Sequence, residues 1–202
     1  MRHGESERAV AGSSFALLDG HGDPALAPEG RRQAEQVCAR LAEEGVESLV
    51  VTPLRRTAET AAPLVRRLGL SPAVEPGLRE VHLGEWEGGL YRAKVLEGDP
   101  VARRVFDEQR WDAIPGAETN EAFFSRVRAA VERVALANAG RRVAVFAHGG
   151  TIGAVLAMAS GSQPFAFVGA DNASISEVVV TPGRWFVRRY NDTAHVRAEP
   201  SA

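Results

Sequence analysis

The chain has 202 residues, 45% of them hydrophobic and 25% charged, which is enough to bury the core of one domain. Its net charge of −2 at pH 7 lacks the basic excess of nucleic-acid-binding proteins, so we expect no nucleic acid partner. No apolar run approaches the ~18 residues that cross a bilayer, no signal peptide precedes the first motif, and the single cysteine, Cys38, excludes an internal disulfide. We therefore expect a cytoplasmic protein without a membrane partner.

The first half of the chain predicts a loop, a helix, a buried strand and a second helix. Residues after Ser6 are irregular as far as Leu26 and predict a surface loop. A helix then opens at Pro28, where a missing N–H costs nothing, and we expect it to end at Gly45. Residues 46–51 form an apolar run typical of a buried strand. The next helix begins near Arg55, and Pro63 is expected to kink it.

The second half continues the alternation of strands and helices. The pattern predicts, in order, a short strand and turn at 72–80, a helix at 101–110, a long helix at 119–138, a buried strand at 142–147, a helix from His148 through Ala159 and a hairpin of 174–180 with 184–190. Such alternation is typical of an α/β fold, here a three-layer α/β/α sandwich with a mostly parallel central sheet. We expect one domain over residues 1–202, with a helical insertion at about 90–118 that lies over the site as a partial lid.

Four short motifs stand in a fixed order along this pattern. Directly after Met1 come an arginine, a histidine and a glycine, which places a cation beside a candidate nucleophile. The motifs are Arg2-His3-Gly4, Thr52-Pro53-Leu54-Arg55-Arg56-Thr57-Ala58-Glu59-Thr60, Leu78-Arg79-Glu80 followed by Gly84-Glu85-Trp86-Glu87-Gly88, and Phe146-Ala147-His148-Gly149-Gly150. Together they resemble the histidine phosphatase superfamily, in its phosphoglycerate-mutase-like branch. The resemblance runs from about Arg2 to Val180.

The resemblance implies a phosphate site and a nucleophile. His3 would take the phosphoryl group, since one imidazole nitrogen is an unprotonated nucleophile at neutral pH, with a backbone carbonyl orienting the other nitrogen. Arg2 and Arg56 would hold the phosphoryl oxygens, because a planar guanidinium supplies fixed donors for a charge that spreads over those oxygens. His148 and Gly149, at the start of a helix, would complete the phosphate contacts.

Glu80 would act as the general acid that protonates the leaving oxygen and then activates water. The family usually carries a phosphate-binding asparagine at the place of Ala9, for which Ser13 or Ser14 is a candidate substitute. His21, His82 and His195 have no partner motif and are expected to be surface or structural residues.

The resulting hypothesis is a metal-independent phosphomonoester hydrolase that acts on a small phosphorylated metabolite, with no cofactor, as a monomer or homodimer. No His, Cys and Asp cluster has metal-ligand spacing, and neither a G-x-S-x-G elbow nor a Walker loop occurs. Two alternatives stay open. One is a phosphoglycerate mutase with the same intermediate, against which stand the short chain and Leu83 where the family mutases carry a tyrosine after Glu80. The other is a non-catalytic phosphate-binding regulatory module, which loss of a site residue would favour.

The resemblance also implies an apolar strand directly before the first motif, whereas only Met1 precedes Arg2. Five or six apolar residues at ~1.5–3 kcal/mol each would contribute as much as a typical domain's whole stability. We therefore expect the natural chain to begin several residues earlier.

Overall fold

The computed structural model describes residues 1–9 and 14–196. The helices there are α1 (Pro28–Leu41), α2 (Arg55–Leu68), α3 (Leu90–Leu96), α4 (Pro100–Asp107), α5 (Asn120–Ala137) and α6 (Gly149–Ser160). The strands are β1 (Leu17–Leu18), β2 (His21–Gly22), β3 (Ser48–Val51), β4 (Ala73–Val74), β5 (Val143–Phe146), β6 (Ile175–Thr181) and β7 (Arg184–Asp192). Single 3₁₀ turns occupy Pro76–Leu78, Gly84–Trp86 and Trp111–Ala113.

A parallel three-stranded sheet lies at the centre of the fold, in the order β4-β3-β5. Its middle strand pairs Val51 with Phe146 on one side and with Val74 on the other. Because successive side chains of a strand point to opposite faces, Leu49 and Val51 contact one layer of helices and Val50 contacts the other. Both faces of the sheet are therefore covered.

Helices cover the two faces as the sequence predicted. On one face Val37 of α1 and Leu64 of α2 join the cluster that contains Phe146. On the other face Val127 of α5 and Ala154 of α6 join the cluster that contains Val50. This arrangement confirms the three-layer α/β/α sandwich with a parallel central sheet.

Several local expectations differ from the structure. Helix α1 ends at Leu41, four residues before Gly45, and α2 continues through Pro63 to a left-handed glycine at position 69. The expected loop before Leu26 contains the β1–β2 pair. Helix α3 was not predicted, because it buries none of its residues and therefore shows no inward-facing apolar stripe.

Within the expected insertion, the two helices differ in how they are attached. Helix α4 buries Ala102 and Val105 in the same cluster as Trp111 and Phe123, so it is part of the core. Helix α3 lies outside that core. Its one contact with the core cluster named here is Tyr91, which packs against the cluster. Among the described residues, no helix is both long and apolar enough to cross a membrane.

The first three residues extend the sheet beyond β5. The N–H of Ala147 donates to the Met1 carbonyl at 2.9 Å, and the N–H of His3 donates to the Ala147 carbonyl at 3.0 Å. On its other side the N–H of Arg2 donates to the Ser174 carbonyl at 3.1 Å. Residues 1–3 therefore form a short parallel bridge beside Ala147, and this bridge connects the end of β5 to the residue before β6.

Next to Met1, a cleft of about 860 Å³ separates β5 from β6. Val143 and Val145 line one side, Ile175 and Val178 line the other, and Met1 lies at the end. The Met1 ammonium donates to the Val145 carbonyl at 2.6 Å, and burial lowers its pKa to about 5. The β6–β7 hairpin thus forms a separate two-stranded sheet in the described part of the chain. The expectation of an earlier start to the natural chain stays a prediction.

Candidate functional site

The candidate nucleophile, His3, is buried at the carboxyl edge of the central sheet, where ligands bind in open α/β folds. Its Nδ1 lies 2.7 Å from the carbonyl oxygen of Gly4, which can only accept, so Nδ1 carries the proton. Its Nε2 is 3.2 Å from the Nε–H of Arg56, which can only donate. The two contacts together define a neutral imidazole whose unprotonated nitrogen is Nε2.

Close packing after the histidine explains the glycine of the first motif. A Cβ on Gly4 would lie 2.5 Å from the carbonyl oxygen of Gly30 in α1, and a Cβ on Gly30 would lie 2.0 Å from the carbonyl oxygen of Glu5. Real side chains do not reach such distances, so the two backbones approach this closely only because both residues are glycine. The Gly4 N–H donates to the Thr60 hydroxyl at 3.0 Å and fixes the turn to α2.

Arg56 lies at the start of α2 and is buried beside His3. Besides its contact with the imidazole, its Nη1 donates to the Gly22 carbonyl at 2.8 Å. Burial lowers the pKa of Arg56, whereas the negative charges of Glu80 and Asp23 raise it. The second motif therefore places a partly desolvated guanidinium within contact of the proposed nucleophile.

Arg2 reaches the site from the other side of His3. Its Nη1 donates to the Ala170 carbonyl, and its buried Nε has no hydrogen-bond partner among the described residues. A Cβ on Gly149 would lie 3.6 Å from that Nε, so the start of α6 faces the Arg2 guanidinium. Arg2 thus has an N–H group free to bind an anion.

His148 lies between β5 and α6 and is fully buried. Its ring centroid is 5.2 Å from that of His3. Its Nε2 lies 3.0 Å from the hydroxyl of Thr52, which follows β3, and its buried Nδ1 has no partner among the described residues. The parallel pairing of β3 with β5 brings Thr52 and His148 together, because both follow the carboxyl ends of adjacent strands.

Both imidazoles are held neutral by their surroundings. The pKa of His3 lies well below its ordinary value because of burial first, and then because of the positive charges of Arg56 and Arg2. Burial and Arg56 likewise hold the pKa of His148 well below its ordinary value, with His3 adding to the effect. An unprotonated nucleophile is therefore present across the neutral pH range.

Glu80 is anchored at the N-terminus of α6. Its carboxyl oxygens accept the N–H of Gly150 at 3.0 Å and the N–H of Thr151 at 3.1 Å, as well as that of the adjoining Val81 at 3.0 Å. A Cβ at Gly150 would lie 2.5 Å from a Glu80 oxygen, so only glycine admits this contact. The negative charge of Glu80 raises the pKa of both Arg2 and Arg56.

The remaining candidates are more peripheral. Ala9 and Ser14 are exposed, and Ser13 lies outside the described residues. His21 is buried rather than on the surface, with its Nδ1 3.2 Å from the Asp19 carbonyl and its ring edge-on to His82. His195 is also structural, since its Nε2 lies 2.9 Å from the Ala173 carbonyl.

Three residues of the site were missed by the sequence reasoning. Thr52 and Thr57 connect their hydroxyl groups at 3.1 Å and continue the contact to His148. Both stand in the second motif, so their repeated hydroxyls were a signal. Arg92 comes from the unpredicted helix α3, and its charge lowers the pKa of His3; no local pattern pointed to it.

Among the described residues, no group of three or more His, Cys, Asp and Glu side chains could hold a metal ion.

The family of the chain follows from a comparison with sequence models of known families. Residues 1–193 match the model of the histidine phosphatase superfamily, branch 1. The chain belongs to this superfamily. This confirms the resemblance carried by the four motifs, and the match extends through β7.

Among related histidine phosphatases, several have activities in their names. A probable phosphoglycerate mutase of Yersinia enterocolitica is 27% identical, over 97% of this chain and 93% of its own. Phosphoserine phosphatase 1 of Hydrogenobacter thermophilus is 29% identical, over 97% and 92%. Among solved structures, a mycobacterial glucosyl-3-phosphoglycerate phosphatase superposes with a TM-score of 0.79 at 31% identity, covering 95% of this chain and 96% of that one. The two neighbours that are named as phosphatases support a phosphatase.

Proposed function

We propose that the protein is a phosphomonoester hydrolase that works through a phosphohistidine on His3, without a metal ion, on a small phosphorylated metabolite. The observation that carries the proposal is the state of the His3 ring. Because Nδ1 keeps its proton and donates it in a hydrogen bond to the Gly4 carbonyl, the lone pair is on Nε2, beside Arg56 and near the His148 ring. A nucleophile held neutral among cationic and hydrogen-bonding groups suits attack on a phosphoryl group.

In the first step the Nε2 lone pair of His3 forms a bond to phosphorus, and the bond from phosphorus to the substrate's alcohol oxygen breaks. Arg2, Arg56, His148 and the N–H of Gly149 hold the phosphoryl oxygens while their charge spreads. The hydrogen bond that the Arg56 N–H now makes to Nε2 is replaced by one to a phosphoryl oxygen, and Arg56 keeps its proton. Glu80 supplies the proton that the leaving oxygen needs.

In the second step water replaces the histidine. Glu80, now a carboxylate, takes a proton from water as its oxygen attacks phosphorus, and the bond from phosphorus to Nε2 breaks. Inorganic phosphate leaves, His3 recovers its lone pair, and Glu80 is protonated for the next cycle. The relatives named as phosphoserine phosphatase and as glucosyl-3-phosphoglycerate phosphatase support this hydrolytic outcome.

The proposal is tested by trapping the intermediate. Rapid mixing with radiolabelled p-nitrophenyl phosphate, followed by a denaturing quench, should give an acid-labile label on the wild type and none on His3→Ala. His195→Gln serves as the control, because it removes an imidazole outside the site, and it should keep the label. Circular dichroism of each variant checks the fold. A label that survives on a folded His3→Ala would remove His3 from the mechanism.

The mutase alternative has one observation in its favour, the relationship to the Yersinia protein. Against it, the position of the expected tyrosine holds Leu83, which packs on the core cluster. We expect release of phosphate from 3-phosphoglycerate to exceed interconversion of the phosphoglycerate isomers. Faster interconversion, measured by ³¹P NMR, would favour the mutase instead.

A further inference from the structure

The turn of residues 170–174, directly before β6, holds the backbone of the first motif. Asn172 donates its Nδ2–H to the carbonyl oxygen of His3 at 3.0 Å, and the N–H of Ala173 donates to the same oxygen at 3.2 Å. A carbonyl oxygen has two lone pairs, so these two donors match both of them. The carbonyl of the candidate nucleophile is therefore fixed by a single turn.

This contact reaches the imidazole through one peptide unit. The His3 carbonyl and the Gly4 N–H belong to the same planar peptide, and the Gly4 N–H donates to the Thr60 hydroxyl at 3.0 Å. Asn172 and Thr60 therefore hold this plane at its two polar atoms. The next carbonyl, that of Gly4, accepts from Nδ1 of the ring at 2.7 Å. A rotation of the peptide plane would therefore displace the atom that fixes the tautomer of His3.

The turn is kept in an unfavourable backbone conformation. Ala173 is fully buried with a φ of 61°, in the left-handed region that disfavours a residue with a Cβ. Such a conformation persists where the surroundings enforce it. Asn191 of β7 anchors the turn, because its Oδ1 accepts the Asp171 N–H and its Nδ2 donates to the Asp171 carboxylate, each at 2.7 Å. The position of Asn172 is thus set by β7.

The two ends of the same turn contact Arg2. The N–H of Arg2 donates to the Ser174 carbonyl at 3.1 Å, and its Nη1 donates to the Ala170 carbonyl. Asn172 instead donates to the peptide of the nucleophile. A change of the Asn172 side chain should therefore affect His3 and leave the anion-binding arginine in place.

We propose that Asn172 is a positioning residue, which holds the peptide after His3 so that Nε2 keeps its place for attack on phosphorus. The proposal rests on the proposed phosphatase function, since it concerns the nucleophile of that reaction. Asn172 acts through His3 and not by contact with the phosphorus. A misplacement of ~1 Å can lower a rate about 100-fold, so one hydrogen bond at this peptide can control turnover.

The test measures turnover of p-nitrophenyl phosphate by Asn172→Ala. We expect kcat to fall about tenfold, while the Kd for inorganic phosphate stays within about twofold, because Arg2 and Arg56 keep their contacts. A lower melting temperature with an unchanged kcat would overturn the proposal. Equal losses in kcat and in phosphate affinity would also overturn it, because Asn172 would then support the whole site.

Asn138→Ala is the matched control, since Asn138 donates its Nδ2–H to the Val134 carbonyl at 2.8 Å at the end of α5. This variant loses the same kind of bond from a side-chain amide to a backbone carbonyl. Its melting temperature should fall, but its kcat should stay within about twofold of the wild type. A tenfold loss of kcat in Asn138→Ala would show that lower stability alone reduces turnover, which would contradict the positioning role.

Asn191→Gly tests the turn from its other end and decides the matter if Asn172→Ala does not fold. Asn191 has a φ of 53°, which glycine adopts freely, so the variant keeps the backbone and loses both bonds to Asp171. We expect kcat to fall by about threefold or more with phosphate affinity retained. An unchanged kcat would show that the turn does not position the nucleophile.

Nitrogen NMR of ¹⁵N-histidine-labelled protein reports the position of the ring without turnover. The His3 signals, assigned by their absence from His3→Ala, should show the Nδ1–H tautomer in the wild type and in Asn138→Ala, and a mixture of tautomers in Asn172→Ala. If the protein hydrolysed no phosphoester, the proposed function would fail, whereas this tautomer change would still support the positioning role. An identical His3 tautomer in the wild type and in Asn172→Ala would contradict it.

Discussion

The hydroxyl of Thr52 lies 3.0 Å from the Nε2 of His148 and links the ends of two adjacent parallel strands. Thr57 donates its own hydroxyl proton to the carbonyls of Thr52 and Leu54, so the Thr52 hydroxyl proton has two acceptors within reach, the Thr57 oxygen at 3.1 Å and the imidazole. If Nε2 accepts that proton, Nδ1 of the neutral ring carries an N–H, and this atom has no partner among the described residues. Thr52 would then fix the tautomer in which His148 donates to phosphate.

The first prediction concerns this contact. Thr52→Val keeps the shape of the side chain but leaves the buried Nε2 unpartnered, which costs about 1–3 kcal/mol of stability. Because the Nδ1–H tautomer is no longer favoured, binding of inorganic phosphate should weaken as well. Thr52→Ser, which retains the hydroxyl, should restore phosphate binding in calorimetry. If Val and Ser variants bound phosphate equally well, Thr52 would have only a packing role.

The second prediction separates two roles of Glu80. As a general acid it matters most for poor leaving groups, whereas as the anchor of α6 it would matter equally for all substrates. We expect Glu80→Gln to lower kcat for an alkyl phosphate at least about tenfold more than for p-nitrophenyl phosphate. The melting temperature reports the anchoring role separately. An equal loss with both substrates would make Glu80 a positioning residue.

The third prediction is the pH dependence of stability. His3 and His148 have pKa values lowered in the folded protein, so the unfolded chain binds more protons below its own histidine pKa of about 6.5. The contribution of these two histidines to stability should therefore be fully present above that pH and fall as the pH drops, by about 1.4 kcal/mol per pH unit for each group. Urea unfolding in phosphate-free buffer between about pH 7.5 and 5.5 measures the slope.

His148→Gln removes one of these two groups, and the slope should decrease by about one proton. The comparison uses slopes, so it holds even if the variant is less stable at every pH. A slope near zero in the wild type would contradict the buried, neutral state of both imidazoles.

The fourth prediction concerns the cleft between β5 and β6. An extension of about five apolar residues before Met1 has the length to run beside β5 as a further parallel strand. It should raise the melting temperature, because it would fill apolar space and convert the buried Met1 amino group into a peptide N–H. An extension of equal length made of glycine and serine is the control. No difference between the two extensions would show that the cleft does not take a strand.

Local sequence was sufficient for much of the fold. The alternation of apolar strands and amphipathic helices predicted the sandwich. Burial of one helical stripe leaves a helical period in the sequence, and burial of both strand faces leaves a continuous apolar run. Four motifs identified the residues that meet at the sheet edge, and the structure places His3, Arg56 and His148 together. Helix ends were less accurate, as the early end of α1 at Leu41 shows, since such ends depend on what the next turn packs against.

Tertiary structure decided the remainder. The contact from Thr52 to His148 spans 96 positions, and the contact from Arg92 to Ser6 spans 86. Neither pair belongs to one periodic segment, so no local pattern could reveal it. The sequence determined which chemical groups are available and in what order they follow the strands. The parallel pairing of β3 with β5, and the packing of α3 beside the first motif, determined which groups touch, because contact depends on how separate elements pack.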